Sequence, residues 1–372
     1  MLQRIQTTLC LLSICLFFTF TNKVLADSPP VPVKLGIIVP LTGPLAFFGK
    51  DYMRAYELVK ESTPEVASLI EVKWEDSAYD TKQAVAAFNK LVSIDKADAI
   101  VTFGGPMLHA LAPLAEQRSI PFFATESEKS DCKGRKFCSL LRNEQDEWGH
   151  ATWRVLRKHG KKKIGIVKNQ NQFMDTFVNA IIKTKAVDES VTILIDVPPD
   201  RSDLRADILA LRTADIDALG VFLLPTSHHG FLPAALRLNE SLPFLFGVEE
   251  FLVSENNVGF ESLVNNAIVL TPASQREYRE RFESRFGKSA GFFYTPAFYD
   301  FFHLLRDTVK SSPGLRGLDL VRALRFKGTR EGVSGRYTVK VSSDGVYSYS
   351  FPIAVNRVNN NAITVDETIE FN

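Results

Sequence analysis

Apolar residues in the first part of the chain follow two alternating patterns, short continuous runs and longer segments with helical spacing. The first run, VKLGIIVP at 33–40, is rich in β-branched residues and ends on proline, which is typical of a buried parallel strand. The same alternation predicts strands at 71–76, 99–103 and 120–124, and helices at 51–62, 82–94 and 108–117. Strands that alternate with helices of this length indicate βαβ units and a doubly wound parallel sheet.

The alternation starts again after Arg142 and changes near the C terminus. The second stretch predicts strands at 163–167, 191–196, 218–224 and 243–246, and helices at 148–159, 173–185, 204–214 and 230–238. Two successive sets of four strands favour two similar lobes over one large sheet. Three further helices are predicted at 278–286, 297–311 and 318–324. After residue 332 the period becomes two, which predicts strands at 336–341 and 346–355 around a turn at 342–345.

Residues 1–26 have the pattern of an export signal. Arg4 supplies a short positive region, an apolar stretch follows, and Val24-Leu25-Ala26 is a sequence that a signal peptidase accepts. We therefore expect cleavage after Ala26 and a periplasmic location. The alternative is a membrane anchor, either a short helix or a lipid-modified Cys15. The residue before Cys15 is a poor match to a lipidation signal, and the apolar stretch is short for a membrane span.

The cysteines agree with export. Cys10 and Cys15 would leave with the signal, and only Cys132 and Cys138 would remain, close together in the polar segment SDCKGRKFC. A close pair in an exported protein predicts one local disulfide. A metal site is the other possibility, but two thiols without an accompanying cluster of histidine or cysteine are poor zinc ligands.

Composition and charge exclude several classes of protein. A length of 372 residues suits two or three domains, and 45% hydrophobic with 23% charged residues is ordinary for a folded globular chain. Lys and Arg number 44 against 43 Asp and Glu, so no basic surplus favours nucleic acid as a partner. Beyond residue 26, no apolar run reaches the roughly 20 residues that a membrane-spanning helix needs.

No motif in the chain predicts catalysis or a cofactor. The segment 43–50 has five residues between its glycines, and Asp51 stands where a phosphate-binding loop has Ser or Thr for magnesium. An acid there would repel phosphate. His228 and His229 are neighbours without a third ligand nearby in sequence, so a solvated pair is favoured over a metal site. We therefore predict no enzyme activity, no catalytic residues, no metal and no cofactor.

The loops that follow predicted strands suit a small-molecule site. In open α/β sheets, ligands bind at the carboxyl ends of strands, where loops lead into helix N-termini. Six such loops are predicted at 41–49, 104–108, 125–129, 169–173, 225–229 and 247–251. Several of them carry apolar or aromatic residues beside Gly or Pro, which fits a cleft for a small organic molecule.

Several segments, in order along the chain, resemble the type I periplasmic solute-binding proteins of branched-chain amino acid and amide ABC importers. VKLGIIVPLTGPLAFFGKDYMRAYELV resembles their opening strand, turn and helix, and WEDSAYDTKQAVAAFNKLV resembles their next segment. KKIGIVKNQNQFMDTF resembles the opening of their second lobe, and FLFGVEEF a later strand end. YTPAFYDFFHLL and SGRYTVKVSSDG resemble their late helix and closing hairpin. The similarity covers residues 31–357.

The resemblance implies a type I periplasmic binding fold, in which the chain crosses between two lobes three times. The crossings would fall near 141–144, 268–272 and 333–336. Lobe one would then comprise 27–143 plus 272–334, and lobe two 144–271 plus 335–372. Binding of a ligand in the cleft would close the lobes about this hinge.

The resemblance also implies ligand-binding residues. Phe48 of lobe one and Phe173 of lobe two match positions of aromatic residues that pack on the ligand, and Tyr294 lies near a third. Glu249 matches an acid that holds the ammonium of an amino acid, with Glu250 as the alternative in register.

The chain departs from the family where a ligand carboxylate would bind. The hydroxyl expected after the third strand falls at Gly105 or Pro106, and neither residue has one. The second carboxylate loop has Glu126 and Glu128 on either side of Ser127. An acid that faces the cleft would repel a carboxylate and favour a cation, an amide or a neutral aromatic ligand, whereas outward-turned acids would leave Ser127 to bind an anion.

A candidate contact from the second lobe is Thr226, in the loop 225–229. Together these expectations describe a monomeric, periplasmic protein that captures an amino acid, amide or amine and delivers it to ABC permease subunits. A sensing receptor of the same fold and a secreted α/β hydrolase are the alternatives. The hydrolase would need a nucleophile, base and acid in one cleft.

Overall fold

A computed structural model describes residues 31–238, 242–252, 259–359 and 362–371, without the side chains of residues 225, 226, 228, 229 and 250. Residues 1–26, which carry the predicted signal, lie outside this part. No helix of the described residues is long and apolar enough to cross a membrane.

The described chain contains 15 strands. They are β1 (Val33–Val39), β2 (Ile70–Asp76), β3 (Ala99–Phe103), β4 (Phe122–Thr125), β5 (Cys138–Leu140), β6 (Lys163–Asn169), β7 (Ser190–Val197), β8 (Ala218–Phe222), β9 (Phe244–Val248), β10 (Ile268–Pro272), β11 (Thr329–Gly332), β12 (Gly335–Val341), β13 (Tyr347–Ser350), β14 (Ile353–Asn359) and β15 (Ala362–Ile369).

The α-helices lie mostly between the parallel strands. They are α1 (Ala46–Ser62), α2 (Val66–Leu69), α3 (Thr81–Ser93), α4 (Gly105–Arg118), α5 (Gln145–Lys158), α6 (Gln172–Thr184), α7 (Arg205–Ala210), α8 (Pro225–Arg237), α9 (Glu261–Val264), α10 (Arg276–Phe286), α11 (Thr295–Ser311) and α12 (Gly317–Leu324). Side chains define several helix starts: Asp80 accepts the N–H of Gln83 at α3, and Asn171 accepts that of Phe173 at α6.

The strands form two sheets. The first has the order β11-β12-β13-β5-β4-β3-β1-β2 and the second the order β15-β14-β10-β9-β8-β6-β7. In each sheet five strands from successive βαβ units are parallel, and the C-terminal strands extend one edge. The sequence prediction of two doubly wound parallel-sheet lobes is therefore confirmed. The central strands β3 and β8 are buried along their whole length, as continuous apolar runs require.

Strand membership gives the places where the chain passes between the sheets. The first passage lies between β5 and α5, and the second follows β10. The third lies between Ser350 and Ile353, because β12 and β13 still pair in the first sheet and only β14 joins the second. The expected crossing near 333–336, and the assignment of 335–350 to lobe two, are therefore wrong. The predicted strand 346–355 is interrupted at Pro352, whose missing N–H cannot continue a ladder.

The first and third passages are hydrogen-bonded to each other. The Nδ2 of Asn143 donates to the carbonyl oxygen of Phe351 at 2.7 Å, and the N–H of Phe351 donates to Oδ1 of Asn143 at 3.3 Å. A second bond from the same Nδ2 reaches Glu147 in α5 at 2.8 Å. All three residues are buried, so these bonds are shielded from water.

Cys132 and Cys138 form a disulfide beside the edge of β5. Both residues are buried and pack in a hydrophobic cluster under α4, together with Leu108 and Leu111. The bridge closes a short loop that ends at the first residue of β5, an interior strand of the first sheet, and we expect it to stabilise the protein mainly by restricting the unfolded chain.

Replacement of both cysteines by alanine should lower the free energy of unfolding by about 2 kcal/mol, since a small closed loop loses this much entropy of closure. Urea denaturation measures the loss, and unmutated protein in reductant should lose a similar amount. Lys133→Ala, an exposed change inside the same loop, is the control and should leave the midpoint unchanged. An unshifted midpoint for the double variant would contradict this account.

Candidate binding cleft

The carboxyl ends of parallel strands in the two sheets approach each other where the lobes meet, because Gly105 after β3 lies next to Gln172 after β6 and Arg142 after β5 contacts Glu249 after β9. Helix N-termini follow these ends, notably α4 after β3 in the first lobe and α6 after β6 in the second. Their unpaired N–H groups and partial positive charge face the same region. The cleft is therefore the place where side chains of both lobes can contact one small molecule.

An aromatic cluster forms the first lobe's side of the cleft. The ring of Phe48 lies 4.6 Å from that of Phe103 and 5.2 Å from that of Tyr294, and the last two rings are 5.2 Å apart. Phe48 lies in the first turn of α1 rather than in the predicted loop, because α1 begins at Ala46. The structure thus brings together Phe48 and Tyr294, two predicted ligand contacts that are far apart in sequence.

Gly105 and Pro106 lie in the first turn of α4, where the two lobes touch. A Cβ atom on Gly105 would lie 3.2 Å from the side-chain amide of Gln172 in α6 and 3.3 Å from Oε2 of Glu126. A larger residue at 105 would therefore press against both groups. Glycine at this position permits the close approach of the lobes.

Glu126 faces inward and is buried. Its Oε1 accepts the N–H of Ser127 at 2.7 Å, and Glu126 is only 3% exposed. Burial raises the pKa of this carboxyl, although the Ser127 N–H and the charge of Arg142 lower it. Glu128 is half-buried and accepts the N–H of Ser130. The hydroxyl oxygen of Ser127 is buried and has no hydrogen-bond partner within the described part of the chain.

An ion pair links the lobes across the cleft. Nη2 of Arg142, two residues after β5, lies 2.5 Å from Oε1 of Glu249, the residue directly after β9. The side chains are 5% and 2% exposed, so both charges are removed from water. Burial lowers the pKa of Arg142, but the charge and hydrogen bond of Glu249, together with the charges of Tyr294 and Glu126, raise that pKa above its usual value.

Four aromatic rings surround the Arg142 guanidinium. Its central carbon lies 4.8 Å from the ring centre of Tyr294 and 4.9 Å from that of Trp148. Phe173 and Phe177 of α6 follow at 5.6 and 5.7 Å. These distances place the cation within the range of attraction to ring faces. Phe173, the predicted ligand contact of lobe two, therefore packs on Arg142.

The ion pair leaves hydrogen-bonding positions open. Nε and Nη1 of Arg142, and Oε2 of Glu249, are buried without a hydrogen-bond partner among the residues that the structure describes. With the hydroxyl of Ser127, they form a set of open polar atoms, hereafter the open polar set. Buried polar atoms in folded proteins are normally hydrogen-bonded, so such a set indicates a missing partner.

Sequence reasoning missed Arg142, Trp148, Phe177 and Gln172. Arg142 ends the apolar run CSLLR, and a charged residue directly after a short strand was the only local signal. The side chains of Thr226, Glu250 and the pair at 228 and 229 lie outside the described residues. No group of three or more metal-binding side chains occurs in the described part.

Comparisons with known proteins agree on one family. Residues 32–354 match the model of the family described as "Periplasmic binding protein". A search of curated proteins finds no match. The leucine-binding protein LivK from Thermotoga maritima superposes with a TM-score of 0.75 at 18% identity, over 91% of this chain and 99% of that one.

Two further solved structures are similar and contain ligands. LivJ from Streptococcus pneumoniae, in complex with isoleucine, has a TM-score of 0.74 at 16% identity, over 92% of this chain and 100% of its own. A solute-binding protein of an ABC transporter from Rhodopseudomonas palustris, in complex with 4-hydroxybenzoate, has a TM-score of 0.77 at 15% identity, over 91% and 97%. At these identities the likeness shows the fold.

Removal of either partner of the ion pair should destabilise the protein strongly. Glu249→Gln or Arg142→Met leaves one buried charge uncompensated, and we expect each to lose about 3–5 kcal/mol in the free energy of unfolding. The double variant should lose clearly less than the sum, which urea denaturation in a double-mutant cycle measures.

The matched control is the pair of Lys162 and Asp188, which is also 2.5 Å long but 58% and 64% exposed. Asp188→Asn should leave the unfolding midpoint unchanged, because water and salt screen an exposed pair. Additive losses at 142 and 249 would contradict a direct interaction between the two side chains.

Proposed function

The chain belongs to the periplasmic binding protein family, and from this premise we propose that it captures a small organic acid between its lobes and delivers it to an ABC importer. The proposal places the protein outside the cytoplasmic membrane, where the predicted signal at 1–26 would send it. Its partners are then the ligand and the permease subunits of the importer.

The open polar set is the observation that carries this proposal. Ser127 and Arg142 follow neighbouring strands of the first sheet, and Glu249 follows a strand of the second. A buried donor or acceptor without a partner destabilises a protein by about 1–3 kcal/mol. A ligand that hydrogen-bonds to these atoms would offset that loss in the closed form only, because the lobes separate the atoms when they open.

Lobe closure follows from the same geometry. The close approach of Gly105 to the side chain of Gln172 and the ion pair of Arg142 with Glu249 both join residues from different lobes. Each must break when the cleft opens to admit a ligand. A ligand that binds both lobes shifts the population toward the closed form by the difference in its affinity for the two forms. The closed surface is what a permease would recognise.

The solved relatives support a small organic acid as the ligand. LivJ is in complex with isoleucine and the Rhodopseudomonas protein with 4-hydroxybenzoate, and both compounds carry one carboxylate on a compact apolar body. The aromatic rings of Phe48, Phe103 and Tyr294 suit such a body.

A thermal-shift screen of amino acids, amides, amines and aromatic acids tests the proposal. A compound that binds only the folded state raises the melting temperature, and the best compound should also reduce the radius of gyration in solution scattering as the lobes close. If the ligand-free protein is already closed in solution, ligand should instead reduce hydrogen exchange at α4 and α6.

Gly105→Leu should lower the affinity for the best compound by at least about tenfold, because the new side chain presses on Gln172 and Glu126 and hinders closure of the lobes. Lys82→Leu, on an exposed turn of α3, is the matched control and should bind normally. If no compound changes melting, scattering or exchange, the proposed function is wrong.

A further inference from the structure

We infer that the captured solute is an organic carboxylate without an amino group, and that Arg142 of the protein itself fills the cation position beside Glu249. The inference rests on the proposed function and names the ligand class of the same cleft. It differs from the expectation that Glu249 holds the ammonium of an amino acid.

Glu249 already has a buried counter-charge in Arg142. Its Oε1 is 2.5 Å from Nη2 of Arg142, and both side chains are nearly inaccessible to water. A second cation beside Glu249 would lie close to the guanidinium, and like charges repel strongly where water is excluded. An ammonium group of a ligand would therefore have to displace Arg142 rather than join it.

Arg142 also takes up the space that an organic cation would need. The surroundings that would favour an organic cation, a carboxylate and several ring faces, are already in contact with Arg142. Rings from both lobes lie 4.8 to 5.7 Å from its central carbon: Tyr294 on one side, and Trp148, Phe173 and Phe177 of lobe two. The guanidinium thus occupies the cation-binding environment of the cleft.

The open polar set consists mainly of hydrogen-bond donors. Nε and Nη1 of Arg142 carry three hydrogens between them, and the hydroxyl of Ser127 adds a fourth donor. Within the open polar set, Oε2 of Glu249 is the one atom that can only accept a hydrogen bond. Arg142 already balances the charge of this carboxylate. A ligand carboxylate accepts from the donors through charge-assisted bonds. A hydroxyl on the ligand can satisfy Oε2 without adding charge.

Glu126 is the acid that would oppose a carboxylate. It is buried, and one of its oxygens already accepts the N–H of Ser127. Burial also raises its pKa, which favours the protonated form. A protonated Glu126 does not repel an anion, and the charge of an ionised Glu126 is opposed by the nearby Arg142.

The experiment compares ligands that carry the same apolar group and differ in whether they have an amine, a carboxylate, both or neither. Isothermal titration calorimetry with 3-phenylpropionate, phenylalanine, phenethylamine and 3-phenylpropanamide separates the contributions of carboxylate and amine. A second series uses 4-methylpentanoate and leucine. We expect the carboxylates without an amine to bind at least about tenfold tighter than each matching compound.

Tighter binding of phenylalanine or leucine would overturn the inference while leaving the proposed function intact. If none of these compounds binds and the wider screen also fails, the proposed function itself has failed. If the wider screen finds a cation or an amide, the inference and the acid class of the proposed ligand are both overturned, whereas capture of a small molecule between the lobes is not.

Variants at the ion pair show whether Arg142 determines which ligands bind or only supports the structure of the cleft. Arg142→Ala should lower the affinity for 3-phenylpropionate by at least about a hundredfold. It should raise the affinity for phenethylamine, because Glu249 and the four rings then become available to an amine. Guanidinium ion at millimolar concentration should restore carboxylate binding to this variant. A residue with only a structural role would weaken all ligands alike.

Glu249→Gln is the second variant, measured below its melting temperature. It should keep or increase affinity for 3-phenylpropionate, because Arg142 retains its donors and loses its internal counter-charge. Loss of 3-phenylpropionate binding in this variant, with circular dichroism unchanged, would contradict the assignment of the ligand carboxylate to Arg142.

Discussion

The arrangement of the cleft depends on one interaction, the buried ion pair between Arg142 and Glu249. Neither charge is stable in an apolar interior alone, so each holds the other in place. Because one follows β5 and the other β9, the pair exists only when the lobes are together. The aromatic residues around the guanidinium then complete a low-dielectric region in which hydrogen bonds to a ligand are stronger than in water. Local packing and lobe position are coupled through this contact.

The sequence predicted the parallel part of the fold well because its strands are buried on both faces. Strands such as β3 (AIVTF) and β8 (ALGVF) are runs of mostly apolar residues, and every position in them is buried. The C-terminal part was harder. In the run 346–355 (VYSYSFPIAV) serine alternates with tyrosine before three apolar residues follow Pro352, so Pro352 was the only local sign that the run is divided between two sheets. The three-residue β5 is too short to show any period.

The positions of the candidate residues could be predicted where they depend on strand ends. Ser127, Phe173 and Glu249 lie in segments that follow parallel strands, and the resemblance to the family singled out Phe173 and Glu249 within those segments. Their roles in binding remain predictions. Arg142 was missed because its partner is 107 residues away in sequence, and no local pattern encodes that pairing. The inward orientation of Glu126 likewise depends on the packing of two lobes.

The hydrogen bonds of Asn143 to Phe351 have a consequence for the motion between the lobes. They hold two of the three connecting segments side by side, so that these two segments move together. Twisting the pair stretches the hydrogen bonds between the segments, whereas bending both segments together does not. The proposed opening and closing of the lobes would then follow mainly one direction of bending. The two lobes would return to the same alignment in every cycle, so the cleft would assemble with little orientational search.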